Sequence, residues 1–134
     1  MKIINNGTLL LRISVSVILF IHGAGGMFNN GIHDFGKFFL NEQGFAPYGV
    51  PLAWAIKLSH IAAVFCLLFE NYIKLACMVT IFILIMGIIM VHYQQGWFVV
   101  GGGRNGVEFN FLLIICLLTI MFPKGIKLRS SPVS

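Results

Sequence analysis

The chain has 134 residues, of which 58% are hydrophobic and only 10% are charged, and its mean hydropathy is +0.93. Soluble domains carry roughly 25% charged residues, so this composition excludes an ordinary soluble domain and predicts an integral membrane protein. The net charge of +5 does not indicate nucleic-acid binding, because the basic residues are scattered or lie at the ends of apolar segments and form no basic face.

Four apolar segments take up most of the chain. The hydrocarbon core of a bilayer is about 30 Å thick, and a helix needs roughly 20 residues to cross it. Because the connections are short, we expect a single all-α domain over residues 1–134, built as a bundle of four transmembrane helices. The predicted spans are residues 8–28, 50–69, 73–93 and 105–122.

The first span has features of both a signal peptide and a retained helix. Lys2 precedes it, but Arg12 interrupts the apolar stretch and no Ala-x-Ala-like cleavage site follows. We therefore interpret it as a retained helix. The run Gly23-Ala24-Gly25-Gly26 at its far end either lets another helix approach closely or ends this one.

The longest connection, residues 29–49, contains an amphipathic pattern. Apolar side chains recur there at spacings of three and four residues, which predicts a short helix over Ile32–Leu40 lying along the outer membrane interface. The apolar stripe is Ile32, Phe35, Phe38 and Phe39, beside the polar His33, Asp34 and Lys37.

The second and third spans are joined by the very short turn Glu70-Asn71-Tyr72, so they are expected to be antiparallel neighbours. Glu70 is predicted to be solvated and to pair with Lys74 at i+4. The fourth span is predicted to start near Asn105 and to end at Pro123.

The basic residues near the ends of the spans are unevenly divided between the two sides. Because cytoplasmic ends carry the excess of Lys and Arg, both termini are predicted to be cytoplasmic, in a bacterial inner membrane. The basic side has Lys2, Lys74, Lys124, Lys127 and Arg129, with Arg12 nearby as an anchor or ion-pair partner; the other side has Lys37 and Arg104.

Each of the four spans places an ionisable side chain in the outer half of the predicted bundle. Charged groups at depth cost about 2.5 kcal/mol or more, so each requires a partner or a function. The pattern predicts a shared polar cavity lined by His22, Lys57, His60, His92 and Glu108.

Within this cavity Glu108 is expected to face Lys57 and His60, which lie three residues apart on one helix face. Individual alternatives remain open: the outer histidines meet headgroups, Lys57 snorkels outward, or Glu108 only complements the positive end of its helix. The turn with Gly102 and Gly103 would cap the cavity, and Trp97 would lie at headgroup level.

Other chemical motifs are weak. Cys66, Cys77 and Cys116 lie in apolar segments without a Cys-x-x-Cys pair, which predicts packing residues rather than a thiol–disulfide enzyme. The glycines at 101–103 are not followed by the Lys-Ser/Thr of a phosphate loop. The histidines form no close pair in sequence, so no metal ligands are predicted.

Several short motifs, taken in order, resemble the DoxX family of small bacterial four-helix membrane proteins, and the resemblance covers nearly the whole chain. They are Leu10-Leu11-Arg12, Phe20 and His22-Gly23; Gly44-Phe45, Pro47 and Pro51; and His92, Gly96-Trp97-Phe98 and Gly102-Gly103 to Glu108. The resemblance implies an inner-membrane protein. It also implies membership of a family that is sometimes associated with quinone-linked redox systems or with thiol and sulfur redox systems.

Two features depart from the family pattern. His60 lies where the family often has a glutamate, and Glu70-Asn71 with Lys74 lies where it often has glycine and arginine.

Three functions follow as hypotheses. The first is a non-catalytic subunit, scaffold or assembly partner of a membrane complex, with a protein partner or a second copy of the chain. The second is a redox-linked protein that binds a quinone or similar amphipathic molecule, with its polar head on His22, His60 or His92. The third is a small transporter or a metal or haem carrier.

Overall fold

The computed structural model describes residues 7–126, and this range is helical with no strand. The structure therefore confirms the predicted all-α class. The basic residues Lys2, Lys127 and Arg129 lie outside the described residues. The helices are α1 (Leu9–Ala24), α2 (Gly31–Asp34), α3 (Gly49–Leu68), α4 (Ile73–Gly87) and α5 (Glu108–Met121). Wide π-helical turns extend α2 over Phe35–Phe45, with a break at Gly44 (φ 101°), and extend α4 over Ile88–His92. A 3₁₀ turn follows at Tyr93–Gln95.

Two helical stretches are long and apolar enough to cross a membrane. They are Gly49–Leu68, with 20 residues, and Ile73–Gln95, with 23 residues. The other two apolar helices are shorter, with 16 residues in α1 and 14 in α5. At 1.5 Å per residue they span about 24 and 21 Å, less than a hydrocarbon core of about 30 Å. The four-span bundle stays a prediction.

The ends of α1 and α5 differ from the predicted ones. α1 ends at Ala24 rather than Phe28, because Gly25 leaves the helical region (ψ 125°) and Gly26 takes a left-handed conformation (φ 84°). α5 begins at Glu108 rather than Asn105, because Asn105 belongs to the loop that precedes it.

α1 and α3 pack closely as an antiparallel pair. A Cβ atom on Gly23 would lie 2.8 Å from Ile61 Cδ1 and 3.1 Å from the Lys57 carbonyl oxygen, so a larger residue would require the Ile61 side chain to move and would crowd the backbone of α3. The glycine run therefore both lets α3 approach and ends α1. In lipid, helix association depends on such close packing rather than on the hydrophobic effect.

The main core lies where α1, α3, α4 and α5 meet. Cys77 is buried in it, whereas Cys66 and Cys116 are half-buried against it and all three thiols are free. α5 joins α4 through Asn110, whose side chain donates to the Leu84 carbonyl at 3.2 Å. The buried core residues are Val15, Leu19, Ala63, Val64, Leu67, Ala76, Cys77, Leu113, Leu117, Ile120 and Met121.

The segment Gly31–Phe45 is packed against the start of α3. Gly36 lies directly against the backbone of Gly49 and Val50, and the Asn41 side-chain oxygen accepts a hydrogen bond from the Gly49 N–H at 2.8 Å. These contacts hold the segment along the bundle as one unit with α3.

This segment packs three of the four predicted stripe residues against α3: Ile32 is buried, and Phe35 and Phe39 are half-buried against the same cluster. Ile32 and Leu40 are buried with Ala53, but Phe38 is 60% exposed. The predicted stripe assumed α-helical spacing, whereas the π-helical turns here bond each residue to the fifth one along. The wider turn rotates Phe38 away from the packed face.

Candidate functional site

Glu108 closes the loop in front of its own helix. One of its carboxylate oxygens accepts hydrogen bonds from the Val99 and Val100 N–H groups, at 2.7 and 2.9 Å. The carboxylate also lies in the first turn of α5, where the helix dipole favours negative charge. The predicted pairing of Glu108 with Lys57 and His60 is wrong: across residues 7–126, Glu108 forms no ion pair.

The loop that Glu108 closes also holds His92 and Trp97. The His92 ring nitrogen Nδ1 lies 2.8 Å from the Asn105 carbonyl oxygen. The Trp97 ring is half exposed and packs tilted against Phe111, with 5.5 Å between ring centroids. The His92 ring therefore contacts the backbone of the loop that Glu108 also contacts.

The glycines at the tip of this loop have the backbone conformation that the sequence indicates. Gly101 and Gly103 have positive φ angles of 80° and 64°, a region that favours glycine. Gly102 lies between them and is exposed. The structure thus places Gly102 and Gly103 in an exposed turn.

His22, Lys57 and His60 come together where the end of α1 crosses α3. The Lys57 ammonium donates to the His22 carbonyl oxygen at 3.0 Å, and so caps one of the last carbonyls of α1. His60 lies one turn further along α3, is only 7% exposed, and its Nδ1 has no partner. The His22 ring also lies tilted against Phe109 of α5, at 6.3 Å between centroids.

At the opposite end of the same helix pair, Arg12 is almost fully buried, with 2% exposure. Its guanidinium donates to the Leu67 carbonyl in the last turn of α3 at 2.8 Å and to Glu70 at 2.6 Å. The expected pairing of Glu70 with Lys74 is therefore wrong, and Lys74 instead lies over the Phe122 ring. Arg12 Nε and, one turn away, Ser16 Oγ are buried without partners.

A separate apolar groove of about 400 Å³ lies between the segment Gly31–Phe45, α3 and α4. Its only hydroxyl belongs to Ser59, which donates to the Ile56 carbonyl at 2.6 Å. Its lining is Phe35, Phe39, Leu40, Phe45, Leu52, Ala55, Ile56, Ser59, Val79, Phe82, Ile83, Met86, Gly87, Met90 and Val91.

The contacts of the five predicted site residues fall into two groups, and their shared cavity stays a prediction. His22, Lys57 and His60 form one cluster, the side chains of His92 and Glu108 bond to the backbone of the loop between α4 and α5, and the groove contains none of them. In the described part of the chain no three His, Cys, Asp or Glu side chains are grouped as metal ligands would be. The sequence signal for the groove was the face Leu52, Ala55, Ile56 and Ser59, where small residues leave room beside a Phe-rich segment.

Comparison with protein families gives one result. A model of the DoxX family matches residues 7–93, from α1 to the end of the α4 extension. The match includes Arg12, His22, Lys57, His60 and His92, and stops before the loop and α5, so it is shorter than the predicted resemblance. No curated protein and no solved structure matches the chain. Because the family model covers well over half of its 134 residues, the chain belongs to the DoxX family of membrane proteins.

Proposed function

We propose that this protein binds an amphipathic molecule, a quinone or a similar compound, in the apolar groove between the segment Gly31–Phe45, α3 and α4. The observation that carries this proposal is the groove itself. Its volume of about 400 Å³ lies in the range of roughly 300–1,000 Å³ found for small-molecule pockets. Two of its three walls belong to the helices that are long enough to cross a membrane, so a lipid-soluble ligand reaches it from the bilayer.

The lining selects for a flat apolar ligand. Phe35 and Phe39 stack at 5.3 Å between centroids, and Phe82 lies on α4 across the groove. The thioethers of Met86 and Met90 are polarisable and favour contact with aromatic rings. The Ser59 hydroxyl donates to the Ile56 carbonyl and so offers the ligand only an acceptor oxygen. The proposed role of the protein is therefore to bind a flat, largely apolar molecule in this groove.

We expect Ala55→Phe to block the groove and to reduce the copurified ligand at least about tenfold, because a phenyl ring would occupy the space where the ligand packs. Native mass measurement of the extracted protein, with extraction and identification of bound small molecules, checks this. Ala62→Phe is the matched control, since Ala62 is exposed on the same helix and does not line the groove. Equal ligand content in both variants and the wild type would rule out the groove as the site.

A second candidate is a non-catalytic subunit or assembly partner of a membrane complex. The short helices α1 and α5 favour it, because a helix shorter than the hydrocarbon core is accommodated by bilayer thinning or by association with other helices. α1 also presents an apolar face outward at spacings of three and four residues. That face is Leu10, Ile13, Val17 and Ile21. A stoichiometric protein partner or second copy in the same native mass spectrum would support this function.

We further propose that all four apolar helices cross the inner membrane, with both termini cytoplasmic. Arg12, Lys74 and Lys124 support this orientation, since they lie toward one end of the bundle, while Lys37 and Arg104 lie toward the other.

We expect a single cysteine at Asn29 or Gly102, in a background without native thiols, to react with an impermeant reagent only from the outside. Labelling of both positions from the cytoplasm would reverse the orientation.

A further inference from the structure

Among residues 7–126, no carboxylate pairs with the Lys57 ammonium. Glu108, the expected partner, is bonded to loop N–H groups, and within residues 7–126 the only ion pair joins Arg12 to Glu70. An ammonium has three N–H donors, and Lys57 uses one of them on the His22 carbonyl oxygen. Two donors of a half-buried cation are thus left for another acceptor.

The helix end beside Lys57 compensates only part of this charge. The C-terminal end of a helix carries about half a negative charge, so the end of α1 leaves roughly half of the ammonium charge unmatched. Two imidazole rings lie in the same place: His60 is one turn from Lys57 and close enough to both Lys57 and His22 for their charges to interact. The Lys57 ammonium supplies the positive charge that attracts an anion, the two imidazole rings add N–H donors, and no carboxylate among residues 7–126 pairs with this cluster.

The buried imidazole points to the same kind of ligand. His60 is more than nine-tenths buried at the α1–α3 contact, and its Nδ1 has no hydrogen-bond partner. This ring is therefore left with an unmade hydrogen bond, which an acceptor oxygen entering the α1–α3 contact would satisfy. An oxyanion supplies several acceptor oxygens at once, as the ammonium and the imidazoles require.

We propose that Lys57, His60 and His22 form a binding site for a phosphate-type oxyanion, either a free ion or the headgroup of an anionic phospholipid. The site is separate from the apolar groove, because the groove uses the face of α3 with Leu52, Ala55, Ile56 and Ser59. The oxyanion site therefore does not depend on the proposed amphipathic ligand, and either can fail without the other.

The test uses the full chain with two probes. In nanodiscs of phosphatidylcholine with or without phosphatidylglycerol, native mass spectrometry counts the retained anionic lipid. In detergent, the rise in melting temperature with inorganic phosphate reports a free ion. Lys57→Gln is expected to weaken binding at least about tenfold, the effect of removing one charged hydrogen bond. Lys37→Gln is the matched control, since Lys37 is an exposed lysine that lies over the Phe38 ring.

Each outcome either identifies the source of the oxyanion, a lipid headgroup or a free ion, or shows that the proposed site does not exist. Lys57-dependent retention of phosphatidylglycerol identifies a lipid headgroup, and a Lys57-dependent phosphate effect identifies a free oxyanion. If neither probe binds, or if Lys57→Gln binds like Lys37→Gln, the site does not exist. Should Lys57→Gln fail to fold, His22→Gln carries the same test, because the His22 side chain is exposed at the end of α1 and its replacement leaves the core unchanged.

Discussion

Glu70→Ala is expected to lower the free energy of unfolding by about 3 kcal/mol, because it leaves the Arg12 guanidinium buried without a countercharge. Removing one partner of a buried pair typically costs about 3–5 kcal/mol, and the lower end applies here since the Glu70 side chain is 48% exposed. The Leu67 carbonyl still accepts from Arg12, but it carries no charge. Thermal unfolding in detergent, followed by circular dichroism, measures the loss.

A second variant separates charge from packing. Replacing both partners, in Arg12→Met with Glu70→Ala, removes the stranded charge and fills its place with an apolar side chain, so most of the lost stability should return. Glu42→Ala is the control, since Glu42 is exposed and forms no ion pair with any residue the structure describes. A double variant that is as unstable as Glu70→Ala would show that the pair acts through shape and not through charge.

Gly36→Val is expected to detach the segment Gly31–Phe45 from α3. A Cβ on Gly36 would lie 2.5 Å from Val50 Cα and 2.6 Å from the Gly49 carbonyl oxygen, and these backbone atoms cannot move without shifting the start of α3. Overpacking of this kind costs about 1–3 kcal/mol or more. Because this segment forms one wall of the groove, ligand retention should fall together with stability.

Hydrogen exchange over residues 31–45 reports this detachment directly, since a released segment loses protection while α4 and α5 keep theirs. Gly102→Ala is the control: a Cβ there would meet only Phe98 Cβ at 3.5 Å, an ordinary contact. Unchanged protection in Gly36→Val would mean that the segment does not depend on this contact.

The boundaries of the helices were easier to predict from the sequence than the side-chain contacts between them. The predicted span 50–69 differs from α3 by one residue at each end, because Pro51 belongs in a first turn and the polar turn at Glu70 ends the apolar stretch. α1 and α5 were predicted too long, since glycines end α1 early and a glutamate held by its own loop starts α5 late.

The prediction of which side chains pair was wrong for a physical reason. Apolar periodicity gives the depth of a residue along its helix, but it does not say which neighbour it faces. Glu108 was at a depth suited to Lys57, yet two loop N–H groups only eight and nine residues away in sequence compete for the same carboxylate. Arg12 and Glu70, which do meet, are 58 residues apart, and no local pattern links them.

The hydrogen-bond acceptors of Arg12, on Leu67 and Glu70, are synthesised only after about half of the chain has been translated. Leu67 and Glu70 follow Arg12 by 55 and 58 residues, which at about 5–20 residues per second corresponds to roughly 3–12 seconds of synthesis. During that interval the guanidinium requires water or headgroups, so we infer that α1 waits near the membrane surface and reaches its final depth only when α3 arrives. Crosslinking of arrested nascent chains that end before and after Glu70 would show whether the depth of α1 changes at that length. In biogenesis α1 and α3 would then insert as a pair, although they are not adjacent in the chain.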